Sequence, residues 1–125
     1  LIEFFEIAIQ STSVSQFRKH KLGLVFIFLK NKSLILGPFQ GKVACMHIPL
    51  GKGVCGTCAS TLNVQRVDDV HKFSGHIACD CASNSEIVIP LIKKTPLGVL
   101  DIDSYEFSNF DETDEYYLMQ FCEIL

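Results

Sequence analysis

Glu86-Ile-Val-Ile-Pro-Leu-Ile92, then Lys93-Lys-Thr-Pro96, then Leu97-Gly-Val-Leu-Asp-Ile-Asp103 is the stretch that decides the fold. Two apolar runs of strand length flank four residues with turn chemistry. Neighbouring strands joined by so short a turn run antiparallel, because a parallel pair needs a crossover of a dozen residues or more. Asp101 and Asp103 stand two apart in the second run, so the period of a strand puts both carboxylates on one face. Two acids on a sheet otherwise built from Val, Leu and Ile cost desolvation unless a partner compensates them. A cationic ligand group would do so.

The chain on either side extends this pattern. Upstream, Leu24 to Leu29 (LVFIFL) reads as a buried strand, Lys30-Asn31-Lys32-Ser33 as a turn, and Leu34-Ile35-Leu36 as the return strand, closing on Gly37-Pro38. Residues 1–10 space Ile2, Phe5 and Ile9 as a helical stripe. Residues 37–85 are irregular and glycine-rich, with a short helix expected from about Gly53 to Ser60. Downstream, Asp111 can cap a C-terminal helix whose first turn carries Glu112, Asp114 and Glu115, as the helix dipole favours. Phe110, Tyr117, Leu118, Phe121 and Ile124 or Leu125 give that helix an apolar stripe. The order predicts an α+β domain, an antiparallel sheet with helices packed on it, spanning 1–125 without internal repeat or linker.

Composition narrows the function classes. Apolar residues make up 48% and charged residues 20%, ordinary for a globular chain. A formal charge of −3 gives no reason to expect a nucleic-acid partner, and the short Arg18-Lys19-His20-Lys21 cluster reads as a solvated turn. The longest apolar run, Leu22 to Leu29, is far short of the ~20 residues a membrane span needs. No basic leader precedes Glu3 and Glu6, so a cytoplasmic protein is expected. The chain starts at Leu1 rather than methionine, which suggests a fragment.

Five of the six cysteines, Cys45, Cys55, Cys58, Cys79 and Cys81, lie in the middle region with His47, His71 and His76. Three readings compete. Buried cysteine behaves as a small hydrophobe, the natural role for Cys122 in the last helix and open to Cys58 and Cys81. Cys55-x-x-Cys58 with Cys79-x-Cys81 offers four thiolates to zinc, although the C-x-C half makes a poor knuckle. Thiol redox chemistry would use a thiolate to attack sulfur, an acid to protonate the departing oxygen, and a second thiol to clear a sulfenic acid. Spacing alone does not choose among them.

Longer motifs do. Leu36-Gly-Pro-Phe-Gln-Gly-Lys-Val-Ala-Cys45, Gly51-Lys-Gly-Val-Cys-Gly-Thr57, Gly75-His-Ile-Ala-Cys-Asp80, Ser83-Asn-Ser-Glu-Ile-Val88 and Gly98-Val-Leu-Asp-Ile-Asp103 closely resemble the free methionine-R-sulfoxide reductases, small GAF-domain enzymes. The resemblance runs from about Leu34 to about Phe110 and keeps three cysteines at the family's spacings, at 45, 55 and 79. It implies a six-stranded antiparallel GAF sheet flanked by helices, with both terminal helices shortened here. By matching motif positions, Cys79 is the thiol that attacks the sulfoxide sulfur, Cys45 the resolving thiol that closes the disulfide, and Cys55 an auxiliary third cysteine. Glu86 and Asp103 match the carboxylates that bind and help protonate the sulfoxide oxygen, and Asp101 an acid that holds the substrate's amino group. Thioredoxin is the implied external reductant, with no metal or organic cofactor; whether the chain is a homodimer stays open.

The chain also departs from the family. The family's aromatic strand typically carries a tryptophan and a tyrosine that wall the substrate methyl group, and this chain has no tryptophan. Counted back from Gly37, those positions fall on Gly23 and Ile27, with Phe26 or Phe28 as substitutes if alternation turns one of them inward. Cys58 and Cys81 stand where proline or alanine-like residues are usual and add alternative disulfide partners. Asp80 opposes thiolate formation at Cys79, and Glu86 can serve as an acid only if an enclosed site raises its pKa. A non-catalytic GAF ligand-binding or redox-sensing module and a zinc-stabilised domain are the alternatives to the enzyme.

Overall fold

The computed structural model describes residues 21–41, 47–75 and 83–124. The described chain forms β1 (Lys21–Lys30), β2 (Ser33–Gly41), β3 (His47–Pro49), helix α1 (Gly53–Thr61), β4 (Gln65–Val67), a 3-10 turn at Val70–Lys72, β5 (Ser85–Ile92), β6 (Pro96–Ser104) and helix α2 (Glu112–Ile124). The expected helix over 1–10, most of the basic cluster, and Cys45, His76, Cys79, Asp80 and Cys81 lie outside the described residues.

The six strands form one antiparallel sheet in the order β3-β2-β1-β6-β5-β4. Its centre is the hairpin read from sequence: β5 pairs with β6 so that Ile87 faces Ile102 and Ile89 faces Leu100. The β1–β2 hairpin turns on Asn31 and Lys32, both with positive φ (51° and 63°), the two-residue turn whose twist suits a hairpin. β2 does not close on Gly37-Pro38 as expected but continues to Gly41. Three residues of β1, Val25 to Ile27, stand opposite four of β2, Leu36 to Phe39, so Gly37-Pro38 marks a bulge rather than an end. A Cβ on Gly37 would sit 2.6 Å from the Phe28 ring, and β3 covers β2 only as far as Ile35, leaving proline's missing donor unneeded.

The two faces of the sheet carry different cores. Phe26, Ile87, Ile89, Leu91, Leu100 and Ile102 pack under α2 with Phe110, Leu118 and Cys122. Val25, Ile27, Leu34, Ile48, Val88 and Val99 pack under α1 with Val54, Cys55, Cys58 and Ala59. A fully buried Val, Leu, Ile or Phe contributes roughly 1.5–3 kcal/mol, so both faces hold the sheet. α2 opens with a reciprocal cap: Asp114 N–H donates to Asp111 Oδ1 and Asp111 N–H donates to Asp114 Oδ2, each at 2.9 Å. Its buried stripe runs through Leu118 and Cys122, while Tyr117 and Ile124, assigned to the stripe from sequence, are exposed. Leu118 and Cys122 are four apart on the sheet side, and Tyr117 turns about 100° away from that line. No described helix is long and apolar enough to cross a membrane.

Candidate active site

Where β5 begins and β6 ends, the period of the strands brings three acids onto the α1 face. Glu86 stands directly opposite Asp103, and Asp101 opposite Val88 and Val25, both members of the α1-side core. Glu86 and Asp101 are 6% and 3% exposed, so both carboxyls are taken out of water. Above them lies the first turn of α1 with Cys55. Gly56 seats that turn: a Cβ there would lie 2.6 Å from the Pro49 carbonyl oxygen, and the Gly51 N–H donates to the Gly56 carbonyl at 2.9 Å. Only a glycine lets the helix approach β3 so closely, and that approach brings Cys55 down onto the sheet.

The Cys55 thiol donates to Glu86 Oε2 at 3.7 Å, within a buried contact. Burial, and then the charge of Asp103 opposite, push Glu86 up to about 8. Asp101 is held well above the ordinary carboxylate range by burial first and then by Glu86. Burial and the carboxylates Asp101, Glu86 and Asp103 hold the Cys55 thiol well above its usual range. At neutral pH Cys55 is therefore a hydrogen-bond donor, not a thiolate nucleophile. Asp101 Oδ1 is buried without a hydrogen-bond partner among the described residues.

The other chemistry-bearing residues are dispersed. Cys58 turns away from the acids and donates to the Val88 carbonyl at 3.6 Å, its thiol pushed up to about 12 mainly by burial. Cys122 is buried on the opposite face under α2, as its reading as a small hydrophobe requires. His47 is exposed on β3, and His71 is exposed with Nδ1 2.8 Å from Asp69 Oδ1. The described residues that could hold a metal ion are Cys55, Glu86 and Asp101, whose donor atoms lie within 4.8 Å of one another. They would do so only by giving up the protons that burial keeps on them, and Cys58 of the sequence-derived zinc set is not among them. Cys45, Cys79 and Cys81 lie outside the described residues, so the geometry covers the acid half of the site.

Two features were not legible in the sequence. Phe26 and Phe28 stack on each other at 6.5 Å and belong to the α2 side, so neither can wall the acid-bearing face. That face carries Gly23, Val25 and Ile27 instead, with Gly23 opposite Asp103. Ser83, which has no role in the sequence reading, donates its hydroxyl to Asp103 Oδ1 at 2.9 Å. A serine just before a strand signals only a turn, and nothing local announces a partner twenty residues away.

A curled antiparallel sheet with helices on both faces and buried acids beneath one of them is the frame of a GAF domain, and known proteins agree. No protein-family model matches the chain. The free methionine-R-sulfoxide reductase of Escherichia coli is 58% identical over 96 residues, covering 76% of this chain and 58% of that protein. The reduced fRMsr structure of Staphylococcus aureus matches with a TM-score of 0.81 at 46% identity, covering 95% of this chain and 80% of that one. The free methionine-R-sulfoxide reductase of Neisseria meningitidis, solved in complex with its substrate, matches with a TM-score of 0.83 at 38% identity, covering 92% and 71%. The chain belongs to the GAF-domain family of free methionine-R-sulfoxide reductases. It spans a little over half the length of the curated relative from Escherichia coli.

Proposed function

We propose that this chain reduces free L-methionine-R-sulfoxide to methionine, with Cys79 as the attacking thiol and Cys45 as the resolving thiol. The observation that carries the reading is the buried pair Glu86 and Asp101 with the half-buried Asp103 beneath Cys55, in a family with a substrate-bound structure. Glu86, pushed up to about 8, retains its proton at neutral pH and is suited to hand it to the sulfoxide oxygen as sulfur is attacked. Asp101, with one oxygen buried and unpartnered, suits the substrate ammonium; that cation would supply the compensation a buried acid needs. Asp103 completes the pair around the oxygen.

The chemistry balances without a cofactor. The Cys79 sulfur bonds to the sulfoxide sulfur, the protonated oxygen moves from that sulfur to Cys79, and the transient S–S bond breaks with its electron pair left on the methionine sulfur: Cys79 thiol plus sulfoxide gives Cys79 sulfenic acid plus methionine. The Cys45 thiol then attacks the Cys79 sulfur, expels water and closes a disulfide. An external dithiol, which we take to be thioredoxin in the cytoplasm, returns both cysteines to thiols and is itself oxidised to a disulfide. Cys55, kept protonated against Glu86, orders the acid set rather than attacking.

The test is a single-turnover reaction of the reduced protein with one equivalent of free methionine-R-sulfoxide, followed by peptide mapping. One equivalent of methionine and a Cys45–Cys79 disulfide are expected, and Cys79→Ser should form neither. Full methionine formation by Cys79→Ser would overturn the assignment. A second reading, a GAF module that binds without turnover, is favoured by one observation: the α2-side placement of Phe26 and Phe28 leaves the acid face without their rings. It predicts methionine binding by the reduced protein and no product in the same experiment.

A further inference from the structure

Ser83, Ser85 and Ser104 are the buried hydroxyls of the described chain, 5%, 0% and 0% exposed, and all three lie where β5 begins and β6 ends. Ser85 Oγ donates to the Glu106 carbonyl at 2.5 Å and accepts from Asn109 N–H at 3.3 Å. Ser104 Oγ accepts from Glu106 N–H at 3.1 Å and from Asn109 Nδ2 at 2.7 Å. These bonds fix the backbone. Ser83 differs, because its strongest partner is a carboxylate of the acid pair.

A hydroxyl has one proton to give. Ser83 Oγ has two acceptors in reach, Asp103 Oδ1 at 2.9 Å and the Ser85 carbonyl at 3.5 Å. The shorter contact, to a group that carries charge, takes the proton. The neighbouring residue is clamped as well: Asn84 N–H donates to the Ser104 carbonyl at 2.8 Å and Asn84 Nδ2 to the Tyr105 carbonyl at 2.6 Å. Ser83 thus reaches Asp103 from a position next to a residue tied to the end of β6. Glu86, directly across from Asp103, receives no hydroxyl among the described residues; its described side-chain partners are the carboxyl of Asp101 and the Cys55 thiol, a weak donor at 3.7 Å.

We propose that Ser83 is a positioning residue that divides the labour of the acid pair, fixing Asp103 as the acceptor and leaving Glu86 as the proton donor. Two carboxyl groups facing each other in a dry site share their protons, and which of them holds the last one depends on small differences in hydrogen bonding. A short hydroxyl bond to Asp103, against a long thiol contact to Glu86, favours the arrangement with Asp103 ionised and Glu86 protonated. The described groups that face the pair are Asp101 on the same strand and Cys55 from α1, an acid and a thiol, and burial disfavours the charged form of each. Ser83 therefore adds to the asymmetry between the buried Glu86 and the half-buried Asp103. It acts through Asp103 and need not touch substrate.

This inference rests on the proposed reductase reading for its consequence but not for its test. Carbon-13 NMR of the side-chain carboxyls in reduced protein, without substrate, reads Asp103 and Glu86 separately as pH is raised. In Ser83→Ala, Asp103 is expected to titrate at higher pH than in the native protein, and Glu86, relieved of part of the Asp103 charge, at lower pH. Ser83→Thr, which keeps the hydroxyl, should restore the native titration. Turnover of the sulfoxide at neutral pH should fall about tenfold in Ser83→Ala and recover in Ser83→Thr, as the loss of one hydrogen bond to a charged group implies. An Asp103 titration unmoved in Ser83→Ala, or a Ser83→Thr protein as altered as Ser83→Ala, would overturn the proposal. A native protein that turns over no sulfoxide while the Asp103 titration still moves would refute the reductase reading and leave the role of Ser83 intact.

Discussion

Glu86 is pushed up to about 8, toward keeping its proton at neutral pH, because burial and Asp103 act on it in the same direction and its described neighbours supply no cation. Turnover by the reductase is therefore expected to decline as pH rises through about 8, and Glu86→Gln to lower kcat/KM by about 10²–10³-fold and to abolish that alkaline limb. Stability carries the same signature. The folded-state value lies above the ordinary 4.5, so the folded protein binds more protons than the unfolded chain across the window from 4.5 to about 8. Stability falls as pH rises through that window and levels above it. Glu86→Gln lacks this loss, so its Tm relative to the native protein should rise between about pH 5 and about pH 8.5 in thermal unfolding. At this scale the sequence was partly legible. The spacing of Asp101 and Asp103 was enough to put both on one face, since strand alternation admits no other outcome. Ser83 was not, because its partner is fixed by strand register rather than by any neighbour in sequence.

Among the elements, the β5–β6 hairpin was readable end to end, as two apolar runs about a four-residue turn leave little choice of pairing. β3 and β4 were not, for at three residues each they are too short to show a period. Gly37-Pro38 read as a strand end because both residues punctuate strands; pairing with β1 on one side turned it into a bulge. The facing of Phe26 and Phe28 was undecidable from alternation alone, since both faces of the sheet are covered and β1 is apolar from Leu24 to Leu29. Register settles it, because Phe26 opposes Leu100 and Val25 opposes Asp101. The same close pairing makes a prediction at Gly98, whose φ is +153° and where a Cβ would run into the Ile27 carbonyl oxygen. Gly98→Ala should lower stability by about 2–3 kcal/mol, read as a reduced urea midpoint with unchanged m. A midpoint equal to that of the native protein would show that β1 and β6 are less tightly apposed than the register requires.

For the whole molecule, the sheet separates two tasks. The α2 face is a dry core with Cys122 buried in it, and the α1 face carries every buried acid together with Cys55 and Cys58. Family membership and acid geometry meet on that second face, and the reductase reading adds the thiols at 45 and 79. The reductase reading expects a small free amino acid as substrate, whose ammonium would compensate the buried Asp101. The direct measurement is turnover by the reduced protein with a thioredoxin-coupled reductant, given separately the R- and S-epimers of free methionine sulfoxide and a peptide-bound sulfoxide. The account predicts sustained consumption of the free R-epimer and little of the other two. Equal rates on all three substrates, or none on the free R-epimer, would contradict it.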